Sequence, residues 1–315
     1  MKLNTEMISS IYTIGETVLD VIFRNEQPVS ATPGGSMLNT SVSLGRAGLK
    51  VEFISEYGND HTGKMIDAFL KENHVGSDFI NRYRDGKTAL ALAFLDKKLN
   101  ASYTFYTQYP AVRLKDPLPE TKKEDVILFG SVYSITPGIH GKIKKWVKKA
   151  KAAGTLIVYD PNFRKSHAGM LEKVRPWIIQ NIALADIVRG SDEDFLNIFG
   201  LSTPEDINMK IKSSGCNNLI ITRNSKSVIA WFGEKKTEVR IPRVKPLVST
   251  VGAGDNFNAG IIYSLVSNHF TCQDIVNMRP SSIEAMITSG IAFSAEVCKT
   301  LDNYISPGFI KSLKS

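Results

Sequence analysis

Apolar positions along the chain switch repeatedly between two periods. Short, nearly continuous runs, VEFISEYG (51–58), DVILFGS (125–131), TLIVYD (155–160), DIVRGS (186–191) and NLIITR (218–223), have the length and β-branched content of buried strands. Between them, apolar residues recur every three or four positions. This spacing predicts helices over 36–48 (ending at Gly48), 62–74, 138–153, 170–184, 192–199 and 203–214. Another helix is expected over 256–266, where Phe257, Ile261 and Leu265 recur, and a long helical region over 281–300. Strand and helix in alternation predict parallel βαβ units and an α/β fold. Two runs break the rhythm: TALALAFLD (88–96) and SYTFYTQ (102–108), separated by the polar KKLNA, read as a hairpin. With the strand-like stretch after Ile11, they predict a small lid drawn from about 16–33 and 88–110. No internal repeat or low-complexity linker interrupts residues 1–315, so a single domain is expected.

Composition narrows the function classes. Of 315 residues, 43% are hydrophobic and 22% charged, the balance of a soluble globular protein. No apolar run approaches the roughly 18 to 20 residues that span a bilayer, and MKLNTEMISS lacks a signal-peptide core, so a cytoplasmic protein without a membrane partner is expected. Cys216, Cys272 and Cys298 are far apart and read as buried thiols. The net charge of +8 raises nucleic acid as a partner, but the densest lysine cluster, KIKKWVKKAKAAG (142–154), carries Ile143, Trp146, Val147 and Ala150 on one helical stripe. Its lysines are the wet face of a sheet-covering helix, and no nucleic-acid partner is expected.

In open parallel sheets, chemistry gathers at the carboxyl ends of the strands. Asp20 follows the first strand, DPNFR (160–164) the strand at 155–160, SDED (191–194) the strand before it, and VSTVGAGDNFNAG (248–260) opens the helix at 256–266. Gly252 and Gly254 lack a Cβ, so a ligand can approach the amides of Gly252, Ala253 and Gly254 at a helix N-terminus, a site suited to an anion. Asp255 beside such an anion is unwelcome unless it takes a proton from a nucleophile attacking phosphorus; the competing reading is a helix cap. No GxGxxG follows the first strand and no GxxxxGK[ST] occurs, so neither a dinucleotide fold nor a P-loop is supported.

Two segments together resemble the ribokinase-like (PfkB) carbohydrate kinases, and the fructokinases most. One is GGSMLNTSVSLGRAG followed by VEFISEYGNDHTG, with Gly34, Gly35, Asn39, Gly45 and Gly58 at family spacing; the other is STVGAGDNFNAG. The resemblance implies a three-layer α/β/α fold with a mainly parallel central sheet and a small β-strand lid. It implies that Asp255 is the base accepting the proton of a sugar hydroxyl that attacks the γ-phosphate of ATP, with the amides of Gly252, Ala253 and Gly254 as anion hole. It places the sugar at Asp20, Gly34, Gly35 and Asn39. TFYTQYP resembles a fructokinase segment over the sugar, which makes Phe105 and Tyr106 candidates; Arg164 of DPNFR could bind a phosphate oxygen or a substrate carboxylate, or form a surface ion pair.

Three places depart from the family pattern. The magnesium-linked Asn-x-x-Glu becomes Ser191 to Asp194, leaving Ser191 on the nucleotide side and Asp194 as a Mg²⁺ contact through water. The nucleotide loop becomes ITRNSKS (221–227), in which Thr222 remains for phosphate and Asn224 tolerates positive φ. Ser249 stands where many members carry Asp near a monovalent-cation site, which weakens any K⁺ dependence. The expected activity is ATP- and Mg²⁺-dependent sugar phosphorylation by a fructokinase. A 2-keto-3-deoxygluconate, ribose or nucleoside kinase is the alternative, and a silent sugar-sensing or adaptor protein a remote one. Exposed lid edges suggest a homodimer.

Overall fold

The computed structural model describes residues 9–95 and 101–314. Its strands in chain order are β1 (Ile11–Ile14), β2 (Val18–Arg24), β3 (Gln27–Gly34), β4 (Val51–Gly58), β5 (Val75–Gly76), β6 (Ile80–Tyr83) and β7 (Lys87–Leu95). Then follow β8 (Ala101–Gln108), β9 (Val126–Gly130), β10 (Leu156–Asp160), β11 (Ile187–Ser191), β12 (Asn218–Arg223), β13 (Ser227–Phe232) and β14 (Lys235–Arg240). The large sheet runs β14-β13-β12-β11-β10-β9-β1-β4-β5, with β6 also on β4. Its pairings are parallel from β12 to β5, and β13 and β14 close one edge as an antiparallel meander.

Helices cover both faces because the central strands are apolar on both sides. Ser36–Arg46, His61–Glu72, Ala253–Ser267 and Pro280–Val297 share one buried cluster with Phe53, Leu128 and Val158. His140–Ala152, Leu171–Leu184, Asp192–Phe199 and Pro204–Ser213 share the other with Ile54, Phe129 and Tyr159. The lysine-rich helix buries Ile143, Trp146, Val147 and Ala150, the stripe its periodicity predicts. The result is the expected α/β/α sandwich. No helix among the described residues is long and apolar enough to cross a membrane.

A second sheet of four strands, β3-β2-β7-β8, projects from the strand ends. β2–β3 and β7–β8 are antiparallel hairpins joined by a parallel β2–β7 pairing. Of the polar KKLNA between the latter strands (97–101), the first four residues lie outside the described residues and Ala101 opens β8. The stretch read simply as part of the lid is two strands, turning at Asn25 and Glu26 with φ of 49° and 61°. Positive φ at both central residues suits a two-residue hairpin, but without glycine there the turn is hard to read from sequence. The helix predicted from 256 begins at Ala253, because the strained-looking turn ends at Gly252 (φ 77°). Cys216 and Cys298 are buried as expected, whereas Cys272 is only half-buried, its thiol donating to the Gly154 carbonyl at 3.2 Å.

Candidate active site

The parallel strands deliver their carboxyl ends to one edge of the sheet, beneath the lid, where the first turn of helix Ala253–Ser267 also arrives. Gly252 sits in the left-handed region, and a Cβ on it would come within 2.9 Å of the Asn303 carbonyl oxygen. A helix leaves its first amides unpaired. Here the first helical bond is Asn256 N–H to Gly252, and the Ala253 amide turns back to the Thr250 carbonyl at 3.2 Å. Ala253 is therefore a correction to the expected anion hole: the tight turn uses its N–H, and the amides of Gly252, Gly254 and Asp255 have no backbone partner among the described residues.

Asp255 does not cap its own helix, which removes the capping reading. Its side chain instead reaches helix Ser36–Arg46, where Ser36 Oγ donates to Oδ1 at 2.7 Å and Asn39 Nδ2 to Oδ2 at 2.8 Å. Thr40 Oγ1 donates to the Asp255 main-chain carbonyl at 2.8 Å, fixing the backbone as well. The carboxyl is 8% exposed; burial pushes its pKa above the usual carboxylate value, the Asn39 and Ser36 donors offset part of this, nearby Asp160 pushes it further up, and Arg164 pulls it down. Asn39, expected on the sugar, thus spends its amide on the base, while its Oδ1 is buried without a partner.

Gly35 enters that helix with φ 139°, and a Cβ there would collide with the Glu16 carbonyl. Gly34 is needed for a different reason: the Asp20 carboxylate fills the space its Cβ would occupy. Asp20 lies in β2 in register with Thr32 and Ala91, and burial pushes its pKa up to about 6. Ala91 in turn faces Phe105, and Ala93 faces Tyr103. Residues in register share a face, so Phe105 and Tyr103 stand on the Asp20 side, their rings stacked at 6.0 Å. Tyr106 pairs with Leu90, itself opposite Leu19, and so points from the other face. Strand alternation thus corrects the sequence expectation, removing Tyr106 from the Asp20 face and adding Tyr103. Arg164 has no ion-pair partner among the described residues, while its charge acts on both Tyr103 and Asp255.

On the opposite flank, Thr222 is the last residue but one of β12, and Asn224, just past the strand, has φ 49°, the left-handed turn its residue type allows. Ser191 and Asp194 form a capping box: Ser191 N–H and Oγ donate to Asp194 Oδ2 at 2.7 and 2.6 Å. Phe163 N–H donates to Asp194 Oδ1 at 2.6 Å, so this carboxylate ties DPNFR to the next strand end. Oδ2 thus accepts two hydrogen bonds and Oδ1 one, which leaves Oδ1 a lone pair for the expected contact through water, and no three His, Cys, Asp or Glu residues converge to hold a metal among the described residues. Ser249 Oγ accepts the Val251 N–H at 3.1 Å and brings no carboxylate for K⁺.

Sequence reasoning missed Ser36, Asp160, Arg189 and Asn258. Ser36 lay within GGS, and its hydroxyl mattered only once Asp255 was seen opposite it. Arg189 carried a signal, a lone charge inside the apolar run of β11.

A family model for the pfkB family carbohydrate kinases matches residues 9–305. The chain belongs to that family. It is a sugar kinase, transferring a phosphoryl group to an alcohol. The chain is 24% identical over 260 residues to a fructokinase of Vibrio alginolyticus, covering 82% of this chain and 84% of that protein. It is 23% identical over 295 residues to the aminoimidazole riboside kinase of Salmonella typhimurium, covering 93% and 92%. In structure, it superposes on aminoimidazole riboside kinase from Salmonella enterica, complexed with aminoimidazole riboside and an ATP analog, with a TM-score of 0.82 at 19% identity, covering 98% and 100% of the two chains.

Proposed function

We propose that this kinase is a fructokinase that uses ATP with Mg²⁺ in the cytoplasm, with Asp255 as general base. The observation that carries the reading is the buried Asp255 carboxylate, held through both oxygens by Ser36 and Asn39 in the first turn of a helix whose leading amides have no backbone partner among the described residues. Each carboxylate oxygen accepts one hydrogen bond and keeps a lone pair, so the group remains able to take a proton. A sugar hydroxyl placed there gives its proton to Asp255 as its oxygen attacks the γ-phosphorus, and the bond to the ADP oxygen breaks. The amides of Gly252, Gly254 and Asp255 and the helix dipole receive the charge of the transferred group. A positioned base contributes about 10²- to 10⁴-fold.

Asp20 is the acceptor for sugar hydroxyls, with Gly34 and Gly35 letting the ring lie against backbone and Phe105 and Tyr103 above it. Arg164 spans the sugar and phosphate sides. Thr222 and Asn224 shape the phosphate turn. Mg²⁺ carried by ATP would neutralise charge on its phosphates; no side chain of this chain is assigned to ligate it directly. The reading carries no K⁺ step. The outer edges of the lid, with Val29 and Tyr106 exposed, are the pairing surface of a homodimer.

The aminoimidazole riboside kinase relative, matched over more of the chain than the fructokinase, supports a second reading in which the acceptor is a riboside. ADP release measured with MgATP against fructose, ribose, 2-keto-3-deoxygluconate, glucose, adenosine and aminoimidazole riboside separates the two. Turnover concentrated on fructose supports the first. Turnover concentrated on the riboside supports the second, and turnover on neither removes both.

A further inference from the structure

Arg189 projects from β11 between apolar neighbours and small residues, with its side chain only 7% exposed. Its guanidinium touches three segments that phosphoryl transfer would bring together. Nη1 donates to Asp160 Oδ2 at 2.9 Å, and that oxygen also accepts from Asn258 Nδ2 at 2.5 Å, on the helix that bears Asp255. Nη2 donates to Thr222 Oγ1 at 3.0 Å. Nη1 and Nη2 also lie 3.2 and 3.3 Å from where a Cβ on Gly254 would stand, directly against the first turn of the Asp255 helix.

A buried ion pair that merely pins three strand ends would account for the contact with Asp160. The Thr222 contact on β12 fits such a pin as well, but the close approach to Gly254, at the first turn of the Asp255 helix, does not. A guanidinium offers donors only, so Thr222 Oγ1 must accept from it, and the Thr222 proton is left to point away, ready to be given to an anion. Burial under Gly254 keeps a permanent charge close to the free amides, where the low local dielectric lets it act more strongly than a surface lysine would. Glycine at 254 thereby has a second use: any side chain there would press on the guanidinium. Nε is buried without a partner, so hydrogen bonding alone does not explain the placement.

We propose that Arg189 is a positioning residue for phosphoryl transfer, fixing the Thr222 hydroxyl as a donor and placing a permanent positive charge behind the turn that receives the transferred group. The proposal rests on the phosphotransfer reading above. Removing Arg189 alone would strand a buried Asp160, so the informative variant is Arg189→Met combined with Asp160→Asn, which removes both charges together.

Melting temperature, kcat and the KM for sugar are measured for this double variant, for Asp160→Asn, which keeps the cation, and for Arg189→Lys. The double variant is expected to lose at least about tenfold in kcat, with sugar KM within about twofold of wild type; Asp160→Asn and Arg189→Lys are expected to stay within about threefold in kcat. A folded double variant with wild-type kcat overturns the inference, as does a loss in Asp160→Asn equal to that of the double variant. Should the double variant not fold, the isosteric Thr222→Val tests the same relay: a loss of at least about fivefold in kcat supports it, and unchanged kcat overturns it. Wild-type protein run alongside separates the two levels. No wild-type turnover on any acceptor overturns the phosphotransfer reading and the inference with it, whereas wild-type turnover with an unaffected double variant overturns the inference alone.

Discussion

Asn39 and Asp255 are 216 positions apart, yet Nδ2 of the first donates to Oδ2 of the second at 2.8 Å. With Ser36 on the other oxygen, this contact sets the plane of the carboxylate and favours its charged form. Asn39→Ala is expected to lower kcat by about tenfold, the scale of losing one charge-assisted hydrogen bond at a buried site. Because the lost donor had been lowering the pKa of Asp255, the acid limb of the kcat–pH profile is expected to move to higher pH. A limb that stays in place while kcat falls would show that Asp255 is not the titrating base.

Asp20 gives a separate prediction, since its pKa is raised from 3.8 to about 6 by burial. Between those values the folded protein holds a proton that the unfolded chain has released, so stability is lost as pH rises through the window. Asp20→Asn is therefore expected to melt above wild type at pH 8, with the difference gone by about pH 4. The same group should make sugar KM rise as pH falls below about 6 in wild type, and Asp20→Asn should abolish that rise at the cost of weaker binding throughout. Thermal melts and initial rates across pH 4 to 8 check both.

Gly34 and Asp20 compete for one volume, so Gly34→Ala must push the carboxylate aside. Sugar KM is expected to rise by about tenfold or more while the KM for ATP changes little, the signature of a lost ground-state contact. Equal changes in both constants would mean that the substitution disturbs the fold instead.

Alternation along β8 separates two neighbouring rings. Phe105→Ala, on the Asp20 face, should raise sugar KM several-fold, whereas Tyr106→Ala, on the opposite face, should leave it within about twofold. The reverse order in steady-state kinetics would place the sugar on the other face of the lid.

Much of this architecture was legible in the chain because burial on both faces writes parallel strands as apolar runs and their covering helices as stripes. The DVILFGS, TLIVYD and NLIITR runs all became central strands, and the Trp146 stripe became a buried one. The β2–β3 turn was not legible, since Asn25 and Glu26 take positive φ without the glycine that usually marks it. At the site, glycines and Asp255 announced a helix N-terminus, but which amides remain free depended on the Thr250–Ala253 turn. Asn39 drew attention through the family spacing of Gly34, Gly35 and Asn39; that its amide donates to Asp255 depends on a contact across most of the chain. Asp194 drew attention as a metal contact through water; that it also ties DPNFR to the end of β11 through the Phe163 amide was not legible. Such pairings follow from tertiary packing and leave no local period to read.

The central claim is that Asp255 takes the proton of the sugar hydroxyl. The most direct test compares wild type with Asp255→Asn, measuring ADP release with fructose and MgATP and, by calorimetry, fructose binding to each. The account predicts fructose affinity within about threefold of wild type and turnover reduced by at least about 10²-fold in the variant. Turnover within a few-fold of wild type, with the variant folded and binding sugar, would contradict it.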